Sequence, residues 1–115
     1  MKKNPRLYLL HIRDALKSIE EYSANGEKFF FSDERTQDAI LFKLAIIGEA
    51  VKRPPKSLRD HHPEIPWKDI AGTRDIVIHE YDNTELPRIW NIVKNDVPVL
   101  KSTIKDLLGG KEDSL

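Results

Sequence analysis

Cysteine is missing from all 115 residues. That excludes disulfides, thiolate metal sites and a cysteine nucleophile, and it fits a reducing compartment such as the cytoplasm. Net charge is missing too: 19 Lys and Arg offset 19 Asp and Glu. The chain therefore lacks the strong positive field of proteins that coat nucleic acid, and any contact of that kind has to be local. Long hydrophobic runs are absent as well. The N-terminal stretch becomes charged again at His11 and Arg13, too soon for the apolar core of a secretory signal. The most apolar segment, Ala39 to Val51, carries Lys43 and Glu49 and falls short of a bilayer-spanning length. No internal repeat or low-complexity tract breaks the chain. One domain over residues 1–108 with a flexible tail over 109–115 is expected, cytoplasmic and without a membrane segment.

What is present reads as helix. With 39% hydrophobic and 33% charged residues, the composition suits amphipathic helices with solvated outer faces. The expected fold class is all-α, an up-and-down bundle of four to five helices. Asn4-Pro5 suits a helix start, and Leu9, Ile12, Leu16 and Ile19 follow at three- and four-residue spacings. The first helix is predicted from about Pro5 to Ala24, with Asn25-Gly26 as its terminator. Phe29-Phe30-Phe31 reads as an apolar link. Ser32 or Asp33 caps a second long helix with Ala39, Ile40, Leu44, Ile47 and Val51 on its inner side, ending near Arg53 before Pro54-Pro55. Gly48 within it reads either as a close helix crossing or as an ordinary packing glycine.

Residues 54–66 carry four prolines and read as an ordered connection or a short helical turn. Trp67 opens another helical pattern that runs into Arg74-Asp75-Ile76-Val77-Ile78-His79-Glu80-Tyr81. Leu86, Ile89, Ile92 and Val93 begin a last helical face. Val97, Leu100, Ile104, Leu107 and Leu108 continue it past Pro98, which is expected to kink or divide it, and Gly109-Gly110 ends it. Trp67 and Trp90 are expected in the core.

The segment from Arg74 to Tyr81 concentrates the chemistry. Arg holds phosphate through a rigid fork of donors, and His both takes and gives a proton near neutral pH. On a regular helix Asp75 and His79 share a face at i,i+4, so the carboxylate can accept an imidazole N–H and set the tautomer. His79 is then a candidate general base toward a ribose 2′-hydroxyl, with Arg74 stabilising charge on the attacked phosphate. Positions 74 and 79 diverge by about 140° around an ideal helix. Convergence calls for a re-aimed helix end or for two copies facing one another across a cleft, and the second route is favoured. The same residues also read as a surface ion pair, a histidine at a helix C-terminus and a half-buried tyrosine. Lys52, Arg53, Lys56 and Arg59 form the evident basic cluster, either an RNA-backbone track or a solvated connector. His61-His62-Pro63-Glu64 lacks the spacing of a helical metal site, so neither metal nor cofactor is expected.

Several segments in order resemble the HepT-like branch of the HEPN superfamily, the toxin halves of HepT/MntA toxin-antitoxin pairs. They are Ile46-Ile47-Gly48-Glu49-Ala50, Ile65-Pro66-Trp67, the Arg-x4-His-x-Tyr arrangement of Arg74, His79 and Tyr81, and Asp96-Val97-Pro98. The resemblance implies an all-α homodimer with a ribonuclease-like cleft, Arg74 and His79 as the catalytic pair and Asp75 as the polar residue after the Arg. It implies a partner as well: a minimal MntA-like nucleotidyltransferase antitoxin that attaches AMP to the motif Tyr, here Tyr81. The pattern departs at Phe42-Lys43 and Ala45, where many relatives carry Arg and Glu; Glu49 is retained and could face the cleft.

Two functions compete on these grounds. One is a toxin of a type VII-like system, a metal-independent endoribonuclease acting on tRNA or mRNA. The other is a non-catalytic helical dimer that serves as substrate, regulatory or RNA-binding partner of a nucleotidyltransferase.

Overall fold

Leu9, Ile12, Leu16 and Ile19, spaced for one side of a helix, are all buried along α1 (Pro5–Tyr22) in the computed structural model of the protein. The structure describes residues 5–52, 56–61, 63, 67–68, 70–72 and 86–109. A turn over Ser23–Asn25 closes α1, and Gly26 follows at φ 94°, a left-handed conformation that costs a glycine no Cβ clash.

The three consecutive phenylalanines depart from expectation. They form a short helix, α2 (Glu27–Ser32), rather than a link. Gly26 turns the chain so that the Phe30 N–H donates to the Gly26 carbonyl at 3.0 Å. Phe30 is then wholly buried, its ring 5.1 Å from that of Trp90, while Phe29 and Phe31 stay exposed. Gln37, one of the few buried polar side chains, donates its Nε2 to the Phe30 carbonyl at 2.9 Å. One carbonyl at the α2 end, which has no intrahelical partner, is satisfied in this way.

Asp33 sits in an extended conformation between helices and caps α3 (Glu34–Ala50), its carboxylate accepting from the Thr36 N–H at 3.0 Å and from the Thr36 hydroxyl at 2.6 Å. Of the expected inner face, Ile40, Leu44, Ile47 and Val51 are buried and Ala39 is half-buried; Leu41 and Gly48 are buried with them, and α1 packs along this face. The helix stops at Ala50, three residues before the expected Arg53, with Val51 as its C-cap.

Inside the proline-rich connection a short helix forms, α4 (Lys56–Asp60). The Trp67 indole N–H donates to the Arg59 carbonyl at 3.1 Å and ties the helical residues 67–68 and 70–72 to it. Ile70 is buried.

The last face comprises α5 (Leu86–Asn91), a π-helical turn (Ile92–Asp96) and α6 (Val97–Leu107). Pro98 falls at this division. In an α-helix the Lys94 carbonyl would accept from residue 98, which has no N–H and whose ring would collide with that carbonyl. Here the Val97 N–H donates instead to the Ile92 carbonyl, five residues back, and the wider turn makes room for the ring. Gly109, at φ 81°, ends α6. The core lies among α1, α3, α6 and the π turn, and Lys101 of α6 reaches Glu20 of α1 at 3.0 Å across its outer edge. Among the described residues the structure is helical, with no strand, and no helix is long and apolar enough to cross a membrane.

Candidate functional site

Arg74, Asp75, His79 and Tyr81 lie outside the described residues, as does Arg53. The structure does describe the scaffold that leads to them. Ile70 sits in an apolar crevice with Leu16, Leu44, Ile47, Ile92, Val97 and Leu100, so the chain is fixed to the α1–α3–α6 core shortly before the motif begins. Asp96 stands at the same crevice and is half-buried.

Of the basic cluster, Lys52 is exposed just past α3 and lies 3.6 Å from a Glu49 carboxylate oxygen. Lys56 is exposed on α4 and bonds Asp60 at 3.1 Å. Exposed pairs of this kind contribute little to stability and are screened by salt. Both ammonium groups therefore remain available to a polyanion at small cost. Arg59 differs: it is half-buried, and its Nε is shielded with no hydrogen-bond partner among the described residues. His61, two residues on, donates Nδ1–H to the Ser57 carbonyl at 2.6 Å. Among the described residues no group of three or more His, Asp or Glu gathers as a metal site.

One concavity was not anticipated. Tyr8 and His11 of α1 and Phe42, Ala45, Ile46, Glu49 and Ala50 of α3 line an open groove of about 380 Å³. Tyr8 and His11 are one turn apart and meet edge to face, centroids 6.5 Å apart. Phe42, Ala45, Ile46 and Glu49 follow at i, i+3, i+4 and i+7, a second stripe on α3 that faces away from the core. That stripe could have been read from the spacing. The contribution of α1 could not, because it depends on how the two helices pack.

Residues 12–107 match the family described as ribonuclease HepT-like. A Thermococcus cleftensis protein named "Probable ribonuclease HepT" is 39% identical over 108 residues, covering 93% of this chain and 98% of that one. A Methanocaldococcus jannaschii protein named "Gamma-glutamylcyclotransferase and putative RNase" is 39% identical over 109 residues, covering 94% of this chain; the chain spans about half, 49%, of its length. No solved structure gives a match.

Proposed function

The chain belongs to the ribonuclease HepT-like family, and from that premise we propose that it is a metal-independent endoribonuclease and the toxin of a type VII-like toxin-antitoxin pair. The observation that carries the reading is the coincidence of that family match with Arg74, His79 and Tyr81 at Arg-x4-His-x-Tyr spacing inside the matched residues. In the proposed step His79 takes the proton of a ribose 2′-hydroxyl and the 2′-oxygen attacks the adjacent phosphorus. The bond from phosphorus to the 5′-oxygen breaks, that oxygen takes a proton from water, and the hydroxide left recovers the proton held by His79. Arg74 stabilises the charge that builds on the phosphoryl oxygens, and Asp75 orients the imidazole. The products are a 2′,3′-cyclic phosphate and a 5′-hydroxyl.

Two copies form a homodimer with their motifs facing one cleft, which removes the angular divergence of Arg74 and His79 along a single helix. Lys52, Arg53, Lys56 and Arg59 lead RNA toward it by neutralising phosphates. The protein works in the cytoplasm beside an MntA-like minimal nucleotidyltransferase. The Tyr81 phenolic oxygen attacks the α-phosphorus of ATP, pyrophosphate leaves, the phenolic proton is released, and AMP remains on the tyrosine. The adduct places bulk and negative charge at the Arg74 phosphate site and silences cleavage.

The test is RNA cleavage by purified protein in EDTA. Wild type is expected to cut, while His79→Ala and Arg74→Ala, shown to be folded by their helical circular dichroism, lose at least about 100-fold in rate. Equal cutting by the folded variants sinks the assignment. A wild type that never cuts yet accepts AMP at Tyr81 selects the alternative, a non-catalytic partner of the transferase, which the zero net charge favours.

A further inference from the structure

The crevice that receives Ile70 is lined by aliphatic side chains of α1, α3, the π turn and α6, and by one acid, Asp96. We propose that Asp96 is a positioning residue for the phosphate site, its carboxylate binding the Arg74 guanidinium and fixing where the remaining N–H donors point. Asp96 owes its place to the crevice; its role rests on the ribonuclease reading above, in which Arg74 meets the attacked phosphate.

The backbone sets the acid there. In the π turn the Val97 N–H reaches the Ile92 carbonyl, one residue further back than in an α turn. Val97 therefore continues the buried row of Ile92, and half-buried Asp96 is left at the edge of that row. Asp96 occupies the N-cap position of α6 at φ −88° and ψ −36°, yet its side chain makes no bond to that helix. The residue is nonetheless partnered. To stay ionised among aliphatic groups a carboxylate needs a cation or several donors. Lys94 is exposed and two residues away, a spacing at which helical side chains do not face each other.

The segment that carries Ile70 supplies the cation. The crevice measures about 10 Å³, room for one water at most, so its lining residues pack as neighbours. Arg74 is the next basic residue after Ile70. On the helical pattern that opens at Trp67, it lies one turn on and on the same face, about 6 Å along the axis. Helical side chains lean toward the N-terminus and cover the preceding turn, which directs this guanidinium back over Ile70 to Asp96. Lys68 is exposed and two residues off that face. A carboxylate engages two of the five guanidinium N–H donors, and three remain for phosphate oxygens in a fixed plane. Without Asp96 the charge persists but the fork turns freely, which weakens the transition-state contact more than ground-state binding.

Proton–nitrogen NMR of the arginine Nε–Hε groups in the full chain tests the contact without reference to activity. The Arg74 peak, assigned by its loss in Arg74→Lys, is expected to shift upfield in Asp96→Asn and to stay in place in Lys94→Gln. Cleavage in EDTA reads the role. Asp96→Asn is expected to lower kcat about 10- to 100-fold with KM within about twofold, and Asp96→Glu to regain part of that loss. Added to Arg74→Ala, Asp96→Asn should slow cleavage no further. A residue that only stabilised the fold would lower the melting temperature and leave kcat intact below it. An Arg74 peak unmoved by Asp96→Asn overturns the proposal, as does an equal rate loss from Asp96→Asn in the wild-type and Arg74→Ala backgrounds. Where Asp96→Asn loses its helical circular dichroism, the Asp96 carboxyl carbon read in Arg74→Lys decides: a resonance identical to wild type overturns the contact, and a displaced one upholds it. A wild type that cuts no RNA but shows the Arg74 peak shift upholds the contact, and only the ribonuclease reading then falls.

Discussion

Phe30 shows what a single side chain decides in this molecule. It is one of three consecutive phenylalanines, yet it alone is buried, against Trp90, and its carbonyl is held by Gln37. Replacing it with Ala removes a wholly buried aromatic and leaves a cavity, and the expected loss is about 3–5 kcal/mol of folding stability. Phe29→Ala, on the exposed side, is expected to change stability by less than about 0.5 kcal/mol. Urea unfolding followed by circular dichroism compares the two; equal midpoints would show that α2 does not contribute to the core as described. At this scale the sequence was partly legible. The Asp33 cap could be read from its place before an apolar period. Which of three identical residues points inward could not, because it is selected by Gln37 on the next helix and by Trp90, remote in sequence.

At the scale of elements, α1 and α3 were readable because each buries one stripe at helical spacing, and periodicity records that stripe directly. The π turn was not. Pro98 announced a disturbance, but whether the helix bends, breaks or widens depends on the register of two packed faces. Leu86 and Ile89 are buried before the turn, Ile92 and Val93 within it, and Val97, Leu100 and Ile104 after it. Returning residues 92–96 to α geometry would rotate α6 and draw that last set out of the core. Exposing three aliphatic side chains costs several kcal/mol at about 1.5–3 kcal/mol each, more than a local widening of the helix. Pro98→Ala should therefore keep the π turn and lower stability by no more than about 1 kcal/mol, mainly through the freer unfolded chain. A variant that unfolds without cooperativity, or whose Leu100 amide loses its hydrogen-exchange protection, would show that the proline and not the packing holds the turn.

For the whole molecule, the family was legible from its motifs, and the match over residues 12–107 establishes it. The helical class was legible from the same periodicities that built the core. The groove was not, since it arises from the packing of two helices distant in sequence. Assembly and control belong to this scale. Mixing the protein with the proposed MntA-like nucleotidyltransferase, ATP and magnesium is expected to add mass in AMP units to wild type and none to Tyr81→Phe; an unmodified wild type, or an equally modified Tyr81→Phe, removes the proposed switch.

Attack by a ribose 2′-hydroxyl distinguishes the proposed reaction from hydrolysis by water, and an RNA with a single 2′-deoxy substitution at the cleaved nucleotide separates the two. In EDTA, wild-type protein should cut the all-ribose strand, leaving 2′,3′-cyclic phosphate and 5′-hydroxyl ends by mass spectrometry, and should leave the substituted position intact. Cleavage at the deoxy position, or ends that bear a 5′-phosphate, would contradict the account.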